Sequence, residues 1–506
     1  MRTLFLFLVL CTTTPLPAQQ GFLQSYDLGE AGLGFHNMLL KEDTLMVCGT
    51  VCVQEFQQWG LVFLKMDTSG NILEQQMHFD ALGDSYSFEQ NYEMISTTDG
   101  GYALVGQMVS RNFPVLIKLD QDGELEFIQE YPDTTVYNIR HWSIVEVPNG
   151  YITNGVKQQI NDGLWDAFIM RTDIAGNKQW EISYGDQGRR DRLQGINKIA
   201  NNEYLLTGST FNTTGDVEDV SDLWTIPKAV KIDTLGNIIW QWQGPIDYAG
   251  GPNPSFRSLH PTLDGNWVNE GSISTIIDNE IFFQGEIVKR DTNFNVIWNT
   301  SFGLPTSYRN NLIDISASPD GGWVAAGQYV ETGDDIPFGG YRAAMIAKVN
   351  ADGDSLWSRL DTLFDHTQIA STPYLSGVVV LPSGSVIACG HVNKTYPGPG
   401  KSYGWLIKVD KDGCMEPGCN DIVNSTNLTP LLENFMAYPN PVADNLTITG
   451  SGMYDLQIIG LNGEVLVTKK NLFESVDINM KDYPSGSYYL RIKKGNAYLM
   501  RKILKI

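Results

Sequence analysis

Residues 143–185 read SIVEVPNGYITNGVKQQINDGLWDAFIMRTDIAGNKQWEISYG, and this stretch decides the fold. Four segments rich in β-branched and aromatic residues alternate with turn signals. Asn149-Gly150 separates the first two segments, and Asp173-Ile-Ala-Gly176 separates the last two. The stretch therefore predicts a four-stranded antiparallel sheet with two tight turns on one side and a longer connection, around Trp165, on the other.

The same unit returns along the chain at a nearly constant period. The Asp-x-x-Gly turn recurs seven times, twice in altered form, at intervals of 53 to 60 residues. The turns end at Gly70, Gly123, Gly176, Gly236, Phe294, Gly353 and Gly413. A glycine inside an apolar segment recurs at Gly49, Gly106, Gly155, Gly208, Gly271, Gly327 and Gly390. Because one such sheet cannot bury both of its faces, we expect an all-β, seven-bladed β-propeller.

Two more positions of the repeat are occupied by recurrent residue types. A basic residue precedes each turn by two positions, at Lys65, Lys118, Arg171, Lys231, Lys289, Lys348 and Lys408. An aromatic residue follows the turn by four positions in five units, at Phe127, Trp180, Trp240, Trp298 and Trp357. We interpret the aromatic rings as core residues wedged between blades rather than as contacts to a cofactor.

The two ends of the repeat region predict how the ring closes. The last unit ends at Cys414 without a fourth strand, whereas residues 22–28 align with the fourth strand that begins at Trp180. We therefore expect the N-terminal strand 22–28 to complete blade seven, within a propeller domain of residues 19–419.

The motifs of the second unit carry a resemblance to a known family. Asp99-Gly-Gly-Tyr102 and Leu116-Ile-Lys-Leu-Asp120 are similar to the secreted propeller repeats of the phylum Bacteroidota. The resemblance covers residues from about 22 to 415. It implies the fold far more than a function, because one propeller scaffold hosts many activities.

The last part of the chain has a different composition. Residues 420–433 form a polar linker, and residues 434–506 predict a small Ig-like β-sandwich of short strands. Its motifs resemble the type A sorting domain of the type IX secretion system, at Tyr438, Pro439, Asn440, Pro441, Gly486 and Tyr488. That family implies contact with the type IX machinery, passage through the outer membrane, removal of the domain, and surface anchoring or release. An ordinary appended Ig-like module is the alternative.

The N-terminus predicts export as well. Residues 1–18 contain a basic start, the apolar run Leu4–Leu10 and a small residue at Ala18, which is typical of a signal peptide. Cys11 would suggest a lipoprotein, but Leu10 is too large for the usual lipobox. We expect a secreted or outer-surface protein without a transmembrane segment.

Charge and motifs exclude several functions. A net charge of −23 disfavours nucleic acid and anionic membranes as partners. The six histidines show no zinc spacing, and no Gly-x-Ser-x-Gly or phosphate loop is present. The turn at Asp120 could suggest calcium, but Tyr131 stands where a calcium loop needs glutamate. The acidic loop 216–222 is another metal candidate, which we interpret as a solvated loop. We therefore predict no catalytic, cofactor-binding or metal-binding residue.

The cysteines predict one disulfide. Cys414 and Cys419 flank a Met-Glu-Pro-Gly turn that brings them together. Cys48 and Cys52 lie on one predicted strand and are too far apart to pair. We interpret Cys48 and Cys389, which hold equivalent places in the first and last units, as buried free thiols.

The longer connections define the expected ligand surface, which we call the variable face. It comprises the connections between second and third strands and those between blades, whereas the short turns lie on the opposite face. The candidate ligand residues are Trp165, Arg189, Arg190, Trp224, Arg309, Tyr341, Tyr396 and Tyr403. Aromatic and guanidinium groups suit a glycan or protein ligand, although insertions can also drift without function. A secreted enzyme, polysaccharide-active or quinoprotein-like, is the alternative to a binding protein.

Overall fold

A computed structural model shows two compact units, Met1–Pro417 and Gly418–Ile506. The structure describes residues 21–28, 31–53, 58–88, 94–160, 163–185, 190–200, 202–211, 225–244, 258–277, 280–304, 310–331, 340–366, 368–398, 400–416, 435–439, 442–450, 454–460, 465–473, 475–494 and 497–506. These residues form strands and turns, and no helix among them has the length and hydrophobicity of a membrane span. The predicted signal peptide 1–18 and linker 420–433 lie outside the described residues.

The first unit consists of short antiparallel strands. They are β1 (Phe22–Tyr26), β2 (Gly32–Lys41), β3 (Thr44–Val53), β4 (Gln58–Asp67), β5 (Ile72–His78), β6 (Tyr86–Ser87), β7 (Met94–Ser96), β8 (Tyr102–Met108), β9 (Phe113–Leu119), β10 (Leu125–Glu130), β11 (Val136–Val147), β12 (Gly150–Gln159), β13 (Trp165–Asp173), β14 (Lys178–Tyr184), β15 (Asp191–Ala200), β16 (Glu203–Phe211), β17 (Thr225–Asp233), β18 (Ile238–Gln243), β19 (His260–Pro261), β20 (Trp267–Ile277), β21 (Glu280–Arg290), β22 (Val296–Phe302), β23 (Asn311–Ala317), β24 (Trp323–Glu331), β25 (Tyr341–Val349), β26 (Ser355–Asp361), β27 (Ala370–Val380), β28 (Val386–Tyr396) and β29 (Lys401–Val409).

The strand order confirms seven blades. Blade one is β2–β5, and blades three to six are the consecutive sheets β11–β14, β15–β18, β19–β22 and β23–β26. Blade two is β8–β10 with two short inner strands, β6 and β7, which both pair with β8. Blade seven is β27–β29 with β1. One parallel bridge, Gly32 to Ser402, joins blade one to blade seven.

The N-terminal strand supplies the outer edge of blade seven. β1 runs antiparallel to β29, with Phe22 opposite Lys408 and Tyr26 opposite Gly404. The Gly21 amide donates a 2.8 Å hydrogen bond to the Met415 carbonyl. Tyr26 also donates its hydroxyl to the Gly70 carbonyl of blade one at 2.7 Å. This strand therefore completes the last sheet and ties it to the first.

The recurrent aromatic rings pack against the turn of the next blade. A Cβ added to Gly236 would meet the Trp180 ring at 2.9 Å, and one added to Gly353 would meet the Trp298 ring at 2.5 Å. These glycines have positive φ, so the turn needs glycine for its backbone as well as for space. The prediction that the rings lie between blades is confirmed.

Three of the recurrent basic residues donate to backbone carbonyls of the same turns. Arg171 donates to the Thr234 carbonyl, Lys348 to the Lys411 carbonyl, and Lys408 to the Thr68 carbonyl, each in the following blade. Lys408 belongs to blade seven and Thr68 to blade one. The same type of contact therefore also joins the last blade to the first, at the seam where the ring closes.

The glycine within the second strand faces a β-bulge in the first strand. Gly155 lies opposite His141, where the register shifts between His141 and Ser143. A Cβ at Gly155 would stand 1.8 Å from the Arg140 carbonyl oxygen. The same arrangement recurs at Gly49, Gly208, Gly327 and Gly390. Glycine is required here because the bulge pushes a backbone carbonyl into the space of a side chain.

The second unit is a small two-sheet sandwich, as predicted. Its strands are β30 (Met436–Tyr438), β31 (Asn445–Thr449), β32 (Tyr454–Ile459), β33 (Val465–Leu472), β34 (Ser475–Asn479), β35 (Gly486–Lys494) and β36 (Ala497–Lys505). The sheets have the orders β30-β31-β34 and β33-β32-β35-β36. Leu446, Ile458 and Leu490 belong to the buried core between them. An unbroken alternation of buried and half-buried residues in β32 fits a sheet with one covered face.

The cysteines agree with the sequence where the structure describes them. Cys48 and Cys389 are buried free thiols, as predicted. Cys414 is disulfide-bonded. Cys419 lies outside the described residues, so its pairing with Cys414 stays a prediction.

Candidate functional site

A central cavity of about 290 Å³ is lined by the first strand of every blade. Five of the blades contribute a polar side chain to an otherwise largely apolar lining, namely His36, Ser143, Asn197, Asp314 and Ser376. The size is at the lower end of the range for small-molecule sites. The ring thus places one mixed polar and apolar surface at its axis.

The bulges bring additional side chains to this cavity. The extra residue of the bulge is His36 in β2, Gln194 in β15, Ile313 in β23 and Ser376 in β27. All four line the cavity. In these four blades the repeat therefore offers one variable lining position held by the same backbone geometry, whereas the extra residue of the β11 bulge, Trp142, is not part of the lining.

Blade five contributes a hydrogen-bonded cluster. The Ser258 hydroxyl lies 3.0 Å from His260 Nε2 and 2.8 to 2.9 Å from the two Glu270 carboxylate oxygens. A Ser-His-acid triad needs the acid on the second nitrogen of the histidine ring. Here the acid contacts the serine, so the cluster is not arranged to make Ser258 a nucleophile.

Asp314 adds an acidic group to the wall of blade six. Burial among protein atoms raises its pKa to about 7, against the opposing effect of hydrogen bonds from the Val378 and Ile315 amides. The Val378 amide donates to a carboxylate oxygen at 2.7 Å. Asp314 is half-buried because it faces the cavity, so its proton is accessible from that space.

The histidines near the axis are held neutral. Burial first, and the neighbouring His391 second, lower the pKa of His36 to about 3. The ring of His36 lies 5.6 Å from that of His391 and within 3.0 Å of the Thr50 hydroxyl. The cavity therefore presents neutral imidazoles near neutral pH.

Two of the predicted ligand residues lie on blades three and four. Trp165 begins β13 and is half-buried, with the Arg140 guanidinium 5.5 Å from its ring centroid. Arg190 immediately precedes β15. Arg140 and Arg192, which the sequence analysis missed, lie on the first strands of these blades. Both arginines could have been found from the repeat, because each comes one residue before the residue that pairs with the recurrent glycine of the second strand.

Three other predicted residues lie on blades six and seven. Tyr341 contacts His366 edge-on at 4.8 Å, and burial raises its pKa. Tyr403 contacts Phe364 edge-on at 5.6 Å and lies 5.3 Å from the Lys401 ammonium. Tyr396 is 57% exposed. We call these five aromatic residues (Tyr341, Phe364, His366, Tyr396 and Tyr403) the aromatic rim.

The remaining predicted residues cannot be placed. Arg189, Trp224 and Arg309 lie outside the described residues, as does the acidic loop 216–222. Among the described residues no group of three or more histidine, cysteine or acidic side chains could hold a metal ion. At the Asp120 turn, one carboxylate oxygen accepts the amides of Asp122 and Glu124, which is how aspartate caps its own hairpin.

The sorting motif of the second unit has a structural basis in part. Tyr488 is buried and donates its hydroxyl to the Pro484 carbonyl at 2.8 Å, which fixes the entry to β35 at Gly486. Tyr438 is 48% exposed at the end of β30. Pro439 follows it, whereas Asn440 and Pro441 lie outside the described residues.

Comparison with known families identifies this unit. Residues 436–506 match the family described as a secretion system C-terminal sorting domain. The second unit is a type IX sorting domain. The sorting domain indicates export to the cell surface or extracellular space and interaction with the type IX machinery. No match was found among curated protein sequences.

Solved structures share the β-rich architecture at low similarity. A mutant puromycin hydrolase complexed with PGG is 10% identical, over 82% of this chain and 58% of its own, with a TM-score of 0.44. The Penicillium chrysogenum alpha-L-arabinanase complexed with arabinobiose is 10% identical, over 78% and 99%, with a TM-score of 0.37. PorZ, a surface component of the type IX secretion system of Porphyromonas gingivalis, is 8% identical, over 96% and 100%, with a TM-score of 0.19.

Proposed function

We propose that this protein is an exported carbohydrate-binding propeller whose ligand contacts the variable face. The observation that supports this most is the aromatic rim on blades six and seven. Export begins with removal of residues 1–18 and continues through the type IX system. The sorting domain is then removed, and the propeller is retained at the surface or released.

The aromatic rim has the properties of a sugar platform. Tyr396 is more than half exposed at the end of β28, so one ring is open to solvent. Tyr341 and Tyr403 are held by edge contacts to His366 and Phe364. Rings that are already fixed lose little conformational entropy when a ligand stacks on them, and tyrosine adds a polar tip for hydroxyl groups.

The central cavity supports a second candidate, an enzyme that cleaves polysaccharides. Asp314 is partly protonated near neutral pH, and Glu270 also lines the cavity. Two carboxyl groups in different environments are what general acid and base roles require in glycoside hydrolysis. The binding function ranks first because Glu270 is engaged with Ser258 and is 1% exposed.

A glycan array with the full chain separates the two candidates. We expect retention of saccharides without release of reducing ends, and loss of retention in Tyr341→Ala and Tyr403→Ala. Leu263→Ala is the matched control, because Leu263 is fully exposed on a short-turn hairpin. Release of reducing ends that Asp314→Asn abolishes would establish the enzyme instead. Binding of a protein but of no saccharide would contradict the proposed ligand class.

A further inference from the structure

We propose that Arg140, Arg190 and Arg192, beside Trp165, form a subsite for the carboxylate or sulfate group of an acidic saccharide. This proposal rests on the proposed function and specifies the ligand class. The site lies towards the variable face of blades three and four, on the same first strands whose Ser143 and Gln194 line the central cavity. We call it the arginine subsite.

The propeller repeat brings two of the arginines together. Arg140 and Arg192 occupy equivalent positions in β11 and β15, which are the first strands of neighbouring blades. In each case the backbone carbonyl packs against the second-strand glycine, 1.8 Å from a Cβ at Gly155 and 1.9 Å from a Cβ at Gly208. Identical backbone positions in adjacent inner strands place both side chains at the same level of the ring.

The electrostatics of Arg192 agree with this placement of the arginines. Burial first, then Arg190 and Arg140, lower the pKa of Arg192. Like charges in a partly desolvated place disfavour each other, and an anion placed among them removes that cost. The chain has 35 basic and 58 acidic residues, so three interacting arginines are a local exception to its overall charge.

Arg190 offers an unused donor. Its Nε is shielded from solvent and has no hydrogen-bond partner. A charged donor left without an acceptor costs free energy, which a ligand oxygen recovers. The planar guanidinium fork matches the paired oxygens of a carboxylate or sulfate.

The surroundings favour a saccharide as the carrier of the anion. The half-buried Trp165 ring, with Arg140 at 5.5 Å, provides an apolar surface for a sugar face. Gln194, Asn197 and Ser143 line the cavity in the same two blades and offer hydrogen bonds to hydroxyl groups. An acidic peptide would use the arginines but has less need of these amide and hydroxyl groups.

Matched polymers test the subsite on the full chain. The probes are polygalacturonate with its methyl ester, dextran sulfate with dextran, and poly-glutamate. We expect tighter binding of each acidic saccharide than of its neutral partner, with affinity falling as salt rises. Arg140→Gln and Arg190→Gln should each weaken acidic binding about tenfold, as expected for the loss of a charge-assisted contact. Arg190→Lys, which keeps the charge without the fork, should lie in between.

Arg342→Gln is the control, since Arg342 is exposed on the same face of blade six. It should change acidic binding less than twofold, and thermal unfolding should show that all variants are folded. Binding of neutral saccharides alone, unchanged in the arginine variants, overturns the subsite and leaves the proposed function standing. If poly-glutamate binds as tightly as the acidic saccharides or more tightly, and this binding depends on the arginines, the saccharide class is wrong. If no saccharide binds at all, the proposed function is wrong as well.

Discussion

Single glycines control where the inner strands bend. The bulge that aims His36, Gln194, Ile313 and Ser376 at the cavity exists because a glycine in the neighbouring strand leaves room for a displaced carbonyl. A substitution at such a glycine should therefore act on the lining of the cavity as well as on stability.

Gly327→Ala tests this at one blade. The new Cβ would lie 1.9 Å from the Asn311 carbonyl oxygen, so β23 or β24 must move. We expect a loss of about 1–3 kcal/mol or more in the free energy of unfolding, measured with denaturant. Gly400→Ala is the control, because its Cβ would meet the Lys394 carbonyl only at 3.6 Å. Equal stability of the two variants would contradict the packing argument.

Phe294 replaces the turn glycine in blade five, and two effects compete there. Its backbone has φ of 67°, which costs a non-glycine residue about 1–2 kcal/mol. Its buried ring stacks on Trp240 and Trp242 at 5.4 and 5.1 Å, and removing such a ring costs about 3–5 kcal/mol. We therefore expect Phe294→Gly to lower stability by the difference, about 1–4 kcal/mol. A stabilised variant in the same denaturant titration would show that the backbone cost dominates.

At the level of elements, the ring depends on a strand of five residues. β1 makes the outer edge of blade seven, and Tyr26 links that blade to blade one. Without β1, the edge of β29 presents unpaired backbone groups, which favour association with other chains.

Deletion of residues 22–26 should accordingly lower the melting temperature and produce oligomers in size-exclusion chromatography. The milder change Tyr26→Phe removes one 2.7 Å hydrogen bond and should cost about 0.5–1.5 kcal/mol with the protein still monomeric. A deletion variant that stays monomeric and melts with the intact protein would show that β1 contributes little to closure.

The sequence predicts elements better than it predicts the site. Turn residues such as those at Asp173 and Gly176 specify hairpins locally, so the seven blades and the interblade rings follow from the repeat. The bulges do not, because an inserted residue depends on pairing with a neighbouring strand. For the same reason Arg140 and Arg192 escape notice in the sequence, since neighbouring blades alone bring them together. Arg190 and Trp165 could be selected because they stand beside long connections.

At the scale of the whole molecule, buried histidines couple stability to pH. Burial lowers the pKa of His36 and His141 to about 3, and that of His260 and His391 to about 4. The unfolded chain binds protons at these residues from about pH 6.5 downwards, whereas the folded protein does not. The stability that the neutral histidines contribute is fully present above about pH 6.5 and is lost as the pH falls towards 4. We therefore expect the melting temperature to decrease as the pH is lowered from about 6.5 to 4.

His141→Phe provides the check on this pH dependence. His141 is fully buried and stacks on Tyr131 at 5.6 Å, so phenylalanine keeps a ring in place. The slope of unfolding free energy against pH should decrease by up to about 1.4 kcal/mol per pH unit between pH 4 and 6.5, which corresponds to one proton. An unchanged slope would mean that His141 is protonated in the folded protein.

Asp314 should change the stability with pH in the direction opposite to that of the histidines. Its pKa of about 7 means that the folded protein keeps a proton which the unfolded chain releases near pH 4. Its contribution to stability is thus lost as the pH rises from about 4 to 7. Relative to the intact protein, Asp314→Asn should become more stable as the pH rises through this window, measured by denaturant unfolding at several pH values. A constant difference would show that the cavity does not raise this pKa.

The seam at β1 also sets a time limit during biosynthesis. β1 is made first and its partner β29 nearly last, so at about 5–20 residues per second roughly 20 to 80 seconds separate them. Throughout that interval the leading strand has no sheet to join, and its polar Gln24 and Ser25 help to keep it soluble. The longer this short segment stays unpaired, the more opportunity it has to associate with other chains before the ring closes.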